Sequence, residues 1–254
     1  MRIEQSFLPV RGVGEATERR LWEAGITRWR AFDGSVVGPT VADRIEAFVD
    51  EATDRLAADD AGYFAARLPD GECWRLYENF RADARFFDIE TTGLDHERDR
   101  VTAVSVHRGG ETTTLVRGDD LTAGAVREHL ADAPLLVTFN GKRFDVPFLE
   151  SSFDVSLDAP HLDLMYACRR LGLTGGLKRV EREVGIERDR PDVSGRDAVR
   201  LWRAYERGDR SALDRLIAYN REDAVNLRAL ADRVTADLHR ETVPEAGPAG
   251  PGRF

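Results

Sequence analysis

The stretch Phe86-Phe-Asp-Ile-Glu-Thr-Thr-Gly-Leu94 sets two carboxylates, Asp88 and Glu90, two residues apart among strand formers. Alternate side chains of an extended chain share a face, so both point the same way at the end of an apolar strand. Like charges at that spacing raise each other's pKa unless a cation lies between them. A solvated edge strand of alternating polarity is the plainer alternative, and further carboxylates downstream weigh against it.

One of these is Asp145, in Asn140-Gly-Lys-Arg-Phe-Asp-Val-Pro-Phe-Leu149. On a helix with Pro147 near its start, Asp145 shares a face with Phe148 and Leu149. A carboxylate on an apolar face costs several kcal/mol unless it is paired or bound to a metal. An ion pair with Arg143 or Arg169 is the alternative to a metal. The other is Asp223, in a helix expected over Ser211–Val234, where Leu216, Asn220, Asp223 and Leu227 form one stripe. Tyr219 stands one turn before Asp223, so phenol and carboxylate are neighbours. Ser211 with Asp214 makes a capping-box-like start. In His161–Arg170 a helix is expected with Asp163 near its N-terminus, either as a simple N-cap or as support for a substrate.

These residues need a scaffold to bring them together. Val101–His107 and Glu111–Val116 are β-patterned and joined by Arg108-Gly109-Gly110, which reads as a hairpin turn. Leu121–Leu130 reads as a helix with Ala123, Val126 and Leu130 inward. Leu135–Phe139 is an apolar run ended by Asn140-Gly141, as a central strand covered on both faces would be. Gly175–Gly185 and Ser194–Tyr205 read as further helices, with Trp202 and Tyr205 as packing aromatics.

Ahead of them, Gly12-Val13-Gly14 opens a helix that stops at Gly25, and a second short helix follows with Trp29 and Phe32. This resembles a helix-hairpin-helix module, whose glycine turn offers backbone N–H groups to a phosphate. A purely structural hairpin remains the alternative. Residues 39–58 are one amphipathic helix, with Val41, Ile45, Phe48, Val49, Ala52 and Leu56 at helical spacing. The expected division is 1–58 helical, 59–83 a connector packing aromatics against the next domain, 84–238 the site-bearing domain, and 239–254 a Pro/Gly-rich disordered tail.

The chain has 254 residues and 42% hydrophobic content, and it lacks an apolar run long enough to span a membrane. Its start, Met-Arg-Ile-Glu-Gln-Ser, has no signal core, so a cytoplasmic protein without a membrane partner is expected. Cys73 and Cys168 lack metal-site spacing and read as reduced, inert thiols. Net charge is −9, and Lys142 and Lys178 are the lysines in a basic set that is otherwise arginine. That balance counts mildly against nucleic acid, yet local arginines and bridging metal ions can overcome it.

Asp88-Ile-Glu90, Asn140…Asp145 and Tyr219-x-x-x-Asp223 resemble the three motifs of DEDD-type 3′→5′ exonucleases of the tyrosine subtype, in the required order. More narrowly, the chain is similar to the YprB-type branch through His161-Leu-Asp163, Gly185-Ile-Glu-Arg188, Asp192, Gly195 and Leu201–Tyr205. The resemblance spans about residues 84–232. It implies an α/β ribonuclease H-like fold, a mixed central sheet flanked by helices, here behind a small all-helical domain. It also implies that Asp88, Glu90, Asp145 and Asp223 hold two divalent cations, Mg²⁺ or Mn²⁺, with Tyr219 orienting or deprotonating the attacking water. Oxygen donors without Cys/His clusters agree with those ions rather than zinc. The implied partner is nucleic acid, with a single-stranded 3′ end in the site and DNA favoured over RNA. Thr91, Asn140, Lys142 and Asp163 are candidate substrate contacts, as are Gly12 and Gly14 through the N-terminal turn. A non-catalytic nucleic-acid-binding or scaffolding protein and an RNA-directed exonuclease are the alternatives.

Overall fold

Phe87 and Ile89 alternate with Asp88 and Glu90 along the central strand of a five-stranded mixed sheet, and that alternation separates core from site. The computed structural model describes residues 1–189 and 193–243. Asp192 and the chain beyond residue 243 lie outside them. The described chain forms two compact units, Met1–Phe80 with the segment from Thr235 onward, and Arg81–Val234.

The second unit holds the sheet: β1 (Arg85–Thr91), β2 (Val101–Arg108), β3 (Glu111–Val116), β4 (Leu136–Thr138) and β5 (His161–Asp163), in the order β3-β2-β1-β4-β5. β1 is antiparallel to β2 and parallel to β4, and β4 is parallel to β5. The β2–β3 turn at Gly109-Gly110 has φ of +58° and +97°, two left-handed residues in a row, which glycine adopts at no steric cost. Phe87 and Ile89 pack with Val104, Leu136 and Phe148 in a buried cluster that also takes in Val126 and Leu130. Val126 and Leu130 come from the helix over Ala123–Leu130, which starts on the Thr122 cap, and Phe148 from the one over Asp145–Phe153.

His161-Leu-Asp163 corrects the expected helix: these residues are β5, in register with Leu136, Val137 and Thr138 of β4. A three-residue segment carries too little periodicity to separate strand from helix, and pairing with β4 decides it. Asp163 is then the N-cap of the helix over Leu164–Arg170 and accepts from the Met165 N–H at 3.0 Å. Two further helices, Leu177–Val184 and Gly195–Glu206, follow, the latter on a Ser194–Asp197 capping box.

The last helix runs Arg210–Thr242, longer than expected, so residues 239–242 are helical rather than tail. Its start also differs. Asp209 accepts from the N–H groups of Ser211 and Ala212 and from the Ser211 hydroxyl, and Asp214 is exposed and not part of a box.

In the first unit, helix Glu15–Glu23 follows the Gly12–Gly14 turn, and helix Pro39–Ala57 buries Ile45, Phe48 and Ala52. The expected second short helix at Trp29 is a single 3-10 turn, Trp29–Ala31. Residues beyond 58 form the short helices Ala61–Ala65 and Tyr77–Phe80 around a 3-10 turn at Cys73–Leu76. Phe64 stacks on Trp29 with centroids 6.0 Å apart, and Trp29 meets Phe48 edge-on. For the site, the helices are labelled in chain order: α1 (Glu15–Glu23), α2 (Pro39–Ala57), α3 (Ala61–Ala65), α4 (Tyr77–Phe80), α5 (Ala123–Leu130), α6 (Asp145–Phe153), α7 (Leu164–Arg170), α8 (Leu177–Val184), α9 (Gly195–Glu206) and α10 (Arg210–Thr242).

Candidate active site

Asp88 and Glu90 lie on β1 opposite the packed face of Phe87 and Ile89. Pairing between β1 and β4 stops at Arg85 and Phe86, so the two carboxylates lie beyond β4's pairing. The Ile89 N–H between them donates to Asp145 at 3.3 Å, which ties the first residue of α6 to β1. On α10, Asn220 Nδ2 donates to the Asp88 carboxylate at 2.7 Å and to its carbonyl at 3.1 Å. One turn of register then brings Asp223 in: carboxylate oxygens of Asp88, Glu90 and Asp223 all lie within 4.8 Å of one another. Asp145 stands beside this trio rather than inside it.

Electrostatics agree with the geometry. Burial, then the charges of Asp223, Asp145 and Glu90, push the Asp88 carboxyl well above its usual pKa. Glu90 is raised well above its own by burial and by Asp223 and Asp145. Burial raises Asp145 to about 7, against two backbone hydrogen bonds that lower it. Asp223 is raised by burial, although Arg188 opposes the rise. Four crowded carboxylates that resist ionisation form a site that a cation stabilises. Burial and the charges of Asp223, Glu90 and Asp88 also hold the Tyr219 phenol above its usual range, hence protonated.

The loop that presents Asp145 is fixed by backbone geometry. Asn140 takes a left-handed φ of +68°. A Cβ on Gly141 would fall 2.3 Å from the Thr138 hydroxyl, so glycine is required there. Asp163 at the end of β5 accepts from the N–H groups of Asn140 and Lys142 at 2.7 and 3.2 Å. Its carboxylate is thus spent on the β4–α6 loop and on the start of α7.

The candidate substrate contacts separate accordingly. Asn140 and Asp163 belong to the loop that carries Asp145, and the Lys142 side chain is exposed. Thr91 is buried and donates its hydroxyl to the Gly93 carbonyl at 2.5 Å. Gly12, with φ of +95°, and Gly14, the N-cap of α1, belong to the other unit.

Neither arginine proposed for Asp145 pairs with it: Arg143 is exposed and Arg169 lies 5.8 Å over the Tyr166 ring. The arginine that does enter is Arg188, whose guanidinium bonds Asp223 and meets Glu181 of α8 at 2.5 Å. Lys178 of α8 sits 4.7 Å over the Tyr219 ring. Sequence reading quoted Arg188 and Lys178 without assigning them a role. The available signal was Lys178 and Glu181 one helical turn apart, with Arg188 just past the Gly185 that ends the helix. Among the described residues no helix is long and apolar enough to cross a membrane, and no disulfide joins Cys73 and Cys168.

A family model described as the RNase_H superfamily matches residues 85–235. No protein of curated function matches. Among solved structures, an apo nuclease aligns at 24% identity over 70% of this chain and 81% of its own, with a TM-score of 0.48. Brucella melitensis NrnC bound to pGG aligns at 23% identity over 65% and 78%, TM-score 0.46. The same organism's NrnC with bound Mg²⁺ aligns at 21% identity over 68% and 94%, TM-score 0.35. The family match covers the whole sheet and every carboxylate of the site, and the chain belongs to the RNase H superfamily.

Proposed function

We propose that the chain is a metal-dependent 3′→5′ exonuclease that hydrolyses phosphodiester bonds of nucleic acid, DNA in preference to RNA. The observation that carries this is the convergence of Asp88 and Glu90 of β1 with Asp223 of α10, half-buried to buried, with Asp145 of α6 and Tyr219 beside them. Asp88, Glu90, Asp145 and Asp223 would hold two Mg²⁺ or Mn²⁺ ions. The donor set fits, being hard carboxylate oxygen without a His or Cys among the converging groups. Two such ions, when bound, neutralise phosphate charge and make a water more acidic.

The chain's own residues do the positioning. Asn220 fixes Asp88, the Ile89 N–H fixes Asp145, and Asp163 fixes the loop before it. Tyr219, one helical turn before Asp223 and beside the cluster, would orient the attacking water or take its proton. The 3′→5′ direction, and a single-stranded 3′ end as substrate, rest on the resemblance of the three motifs to those of DEDD-type exonucleases. Residues 84–238 form the exonuclease domain in this reading, 59–83 a connector, and 1–58 a helical domain. In that domain the Gly12-Val13-Gly14 turn, ahead of α1, offers N–H groups to DNA phosphates as a helix-hairpin-helix-like segment.

One observation favours a different reading. The Arg188–Asp223 ion pair neutralises part of the cluster internally, as a nucleic-acid-binding domain without turnover would need. The same experiment separates the two: single- and double-stranded DNA and RNA, labelled at the 5′ end, incubated with Mg²⁺ or Mn²⁺. The exonuclease reading expects ladders that shorten from the 3′ end, strongest on DNA. Binding without any shortened product contradicts it.

A further inference from the structure

The carboxylate cluster already contains a cation of its own. The Arg188 side chain is 3% exposed and lies among three acidic residues: it bonds Asp223, meets Glu181 at 2.5 Å, and its Nε is 3.6 Å from Glu222. Burial opposes its charge, but Asp223 and Glu181 outweigh that and hold the guanidinium firmly protonated. The carboxylate it bonds, Asp223, is one of the three that converge and would bind a metal. A guanidinium and a divalent ion on one carboxylate repel each other, so the two compete.

Arg188 nevertheless keeps unused capacity. Its Nε, which faces Glu222 at 3.6 Å, and the Lys178 Nζ are both buried and make no hydrogen bond among the described residues. Buried cationic donors without a hydrogen bond are costly, and they mark a place where a closer acceptor is expected. Both cations lie over the Tyr219 ring, at 5.7 and 4.7 Å from its centroid. They therefore flank the phenol assigned to the attacking water. Glu181, fully buried on α8, provides an anchor for Arg188 that does not belong to the converging trio.

We propose that Arg188 is an exchangeable counter-cation: it neutralises Asp223 in the metal-free chain, gives way to metal there, and then binds the substrate phosphate together with Lys178. Glu181 keeps the guanidinium at the site throughout. The Arg188 donor released from Asp223, with its Nε, and the Lys178 ammonium match the non-bridging oxygens of a phosphodiester, and a forked guanidinium binds them as a pair. This inference rests on the exonuclease reading and names two substrate-binding residues for it.

The test uses the full chain and two readouts other than turnover: Mn²⁺ binding followed by electron paramagnetic resonance without nucleic acid, and anisotropy of a short labelled oligonucleotide with Ca²⁺ replacing Mg²⁺. R188Q should bind Mn²⁺ about tenfold more tightly, because the internal competitor is gone. Oligonucleotide affinity should fall about tenfold in R188Q and in K178Q through lost charge-assisted contacts. R188K should be intermediate in both. Since R188Q orphans Glu181, the double variant E181Q/R188Q keeps the test valid if the single variant misfolds.

Unchanged or weaker Mn²⁺ binding in a folded E181Q/R188Q chain overturns the exchange. Unchanged oligonucleotide affinity overturns the phosphate role. If the native chain binds no Mn²⁺ at all, the exonuclease reading falls with it. If native and variant chains bind both ligands alike, only the role of Arg188 is lost.

Discussion

At the scale of single residues, the site is built from groups whose ordinary ionisation burial has altered. Tyr219 carries the sharpest consequence, because burial and then the charges of Asp223, Glu90 and Asp88 disfavour its phenolate. Y219F keeps the ring under Lys178 and removes only the hydroxyl. Single-turnover hydrolysis should drop by roughly one to three orders of magnitude while Mn²⁺ affinity barely moves; an unchanged rate would make Tyr219 a packing residue. His161 offers a second test, away from the carboxylate cluster. Burial and then the charge of Lys142 lower its pKa to about 3, while its Nε2 pairs with the Thr138 hydroxyl at 2.8 Å. A histidine whose folded pKa lies below its unfolded value stabilises the neutral side of the range. That stability is lost as pH falls from about 6.5 toward 3, by at most about 1.4 kcal/mol per pH unit. Urea denaturation between pH 4 and 7 should show a steeper acid loss for the native chain than for H161Q, and parallel curves would contradict this. The carboxylates and Tyr219 were legible in the sequence because strand and helix periodicity fixes which side chains share a face. Arg188 was not, since no periodicity relates a residue beyond the end of α8 to Asp223 in α10.

At the scale of elements, the loop between β4 and α6 decides where Asp145 stands. Three backbone N–H groups, from Asn140, Lys142 and Met165, converge on Asp163. D163A leaves them without that acceptor and should cost about 1–3 kcal/mol in chemical denaturation, with hydrolysis falling further than stability alone explains. G141A should be comparably harmful, because its methyl would collide with Thr138. A variant of either kind with native stability and rate would show that the loop does not position Asp145. The sequence revealed β1, the β2–β3 hairpin, α5 and α6 through period, turn glycines and the position of Pro147. It misplaced β5 and the start of α10 for physical reasons: strand pairing supplied what three residues could not, and Asp209 outcompeted the Ser211–Asp214 box for the first free N–H groups. The expected helix at Trp29 closes as one 3-10 turn, with the Trp29 indole N–H spent on the Ser6 carbonyl at 2.7 Å.

At the scale of the whole molecule, two units carry separate buried charge networks. In the first, Arg75 and Glu18 are each 1% exposed and pair at 3.0 Å, with Glu72 on Arg75 at 2.5 Å. Glu18 also accepts from the Phe7 and Leu8 N–H groups and the Ser6 hydroxyl, so it organises the N-terminal turn. Burial still pushes its pKa up. Removing one partner of such a pair strands the other, and E18A should lose about 3–5 kcal/mol by denaturation. In the second unit the crowded carboxylates play the opposite part, destabilising the metal-free fold. D88N in chelator should melt at or above the native temperature, and divalent ions should raise the native melting point through binding to the folded state. The central claim is that these carboxylates act through metal, and the most direct measurement is the hydrolysis rate of a 5′-labelled oligonucleotide by chelator-treated chain as Mn²⁺ is added back. The expected result is no hydrolysis in chelator, a rate that saturates with Mn²⁺, 3′-shortened products, and no recovery in D88N or D223N. Hydrolysis that persists in chelator, or that survives both substitutions, would contradict it.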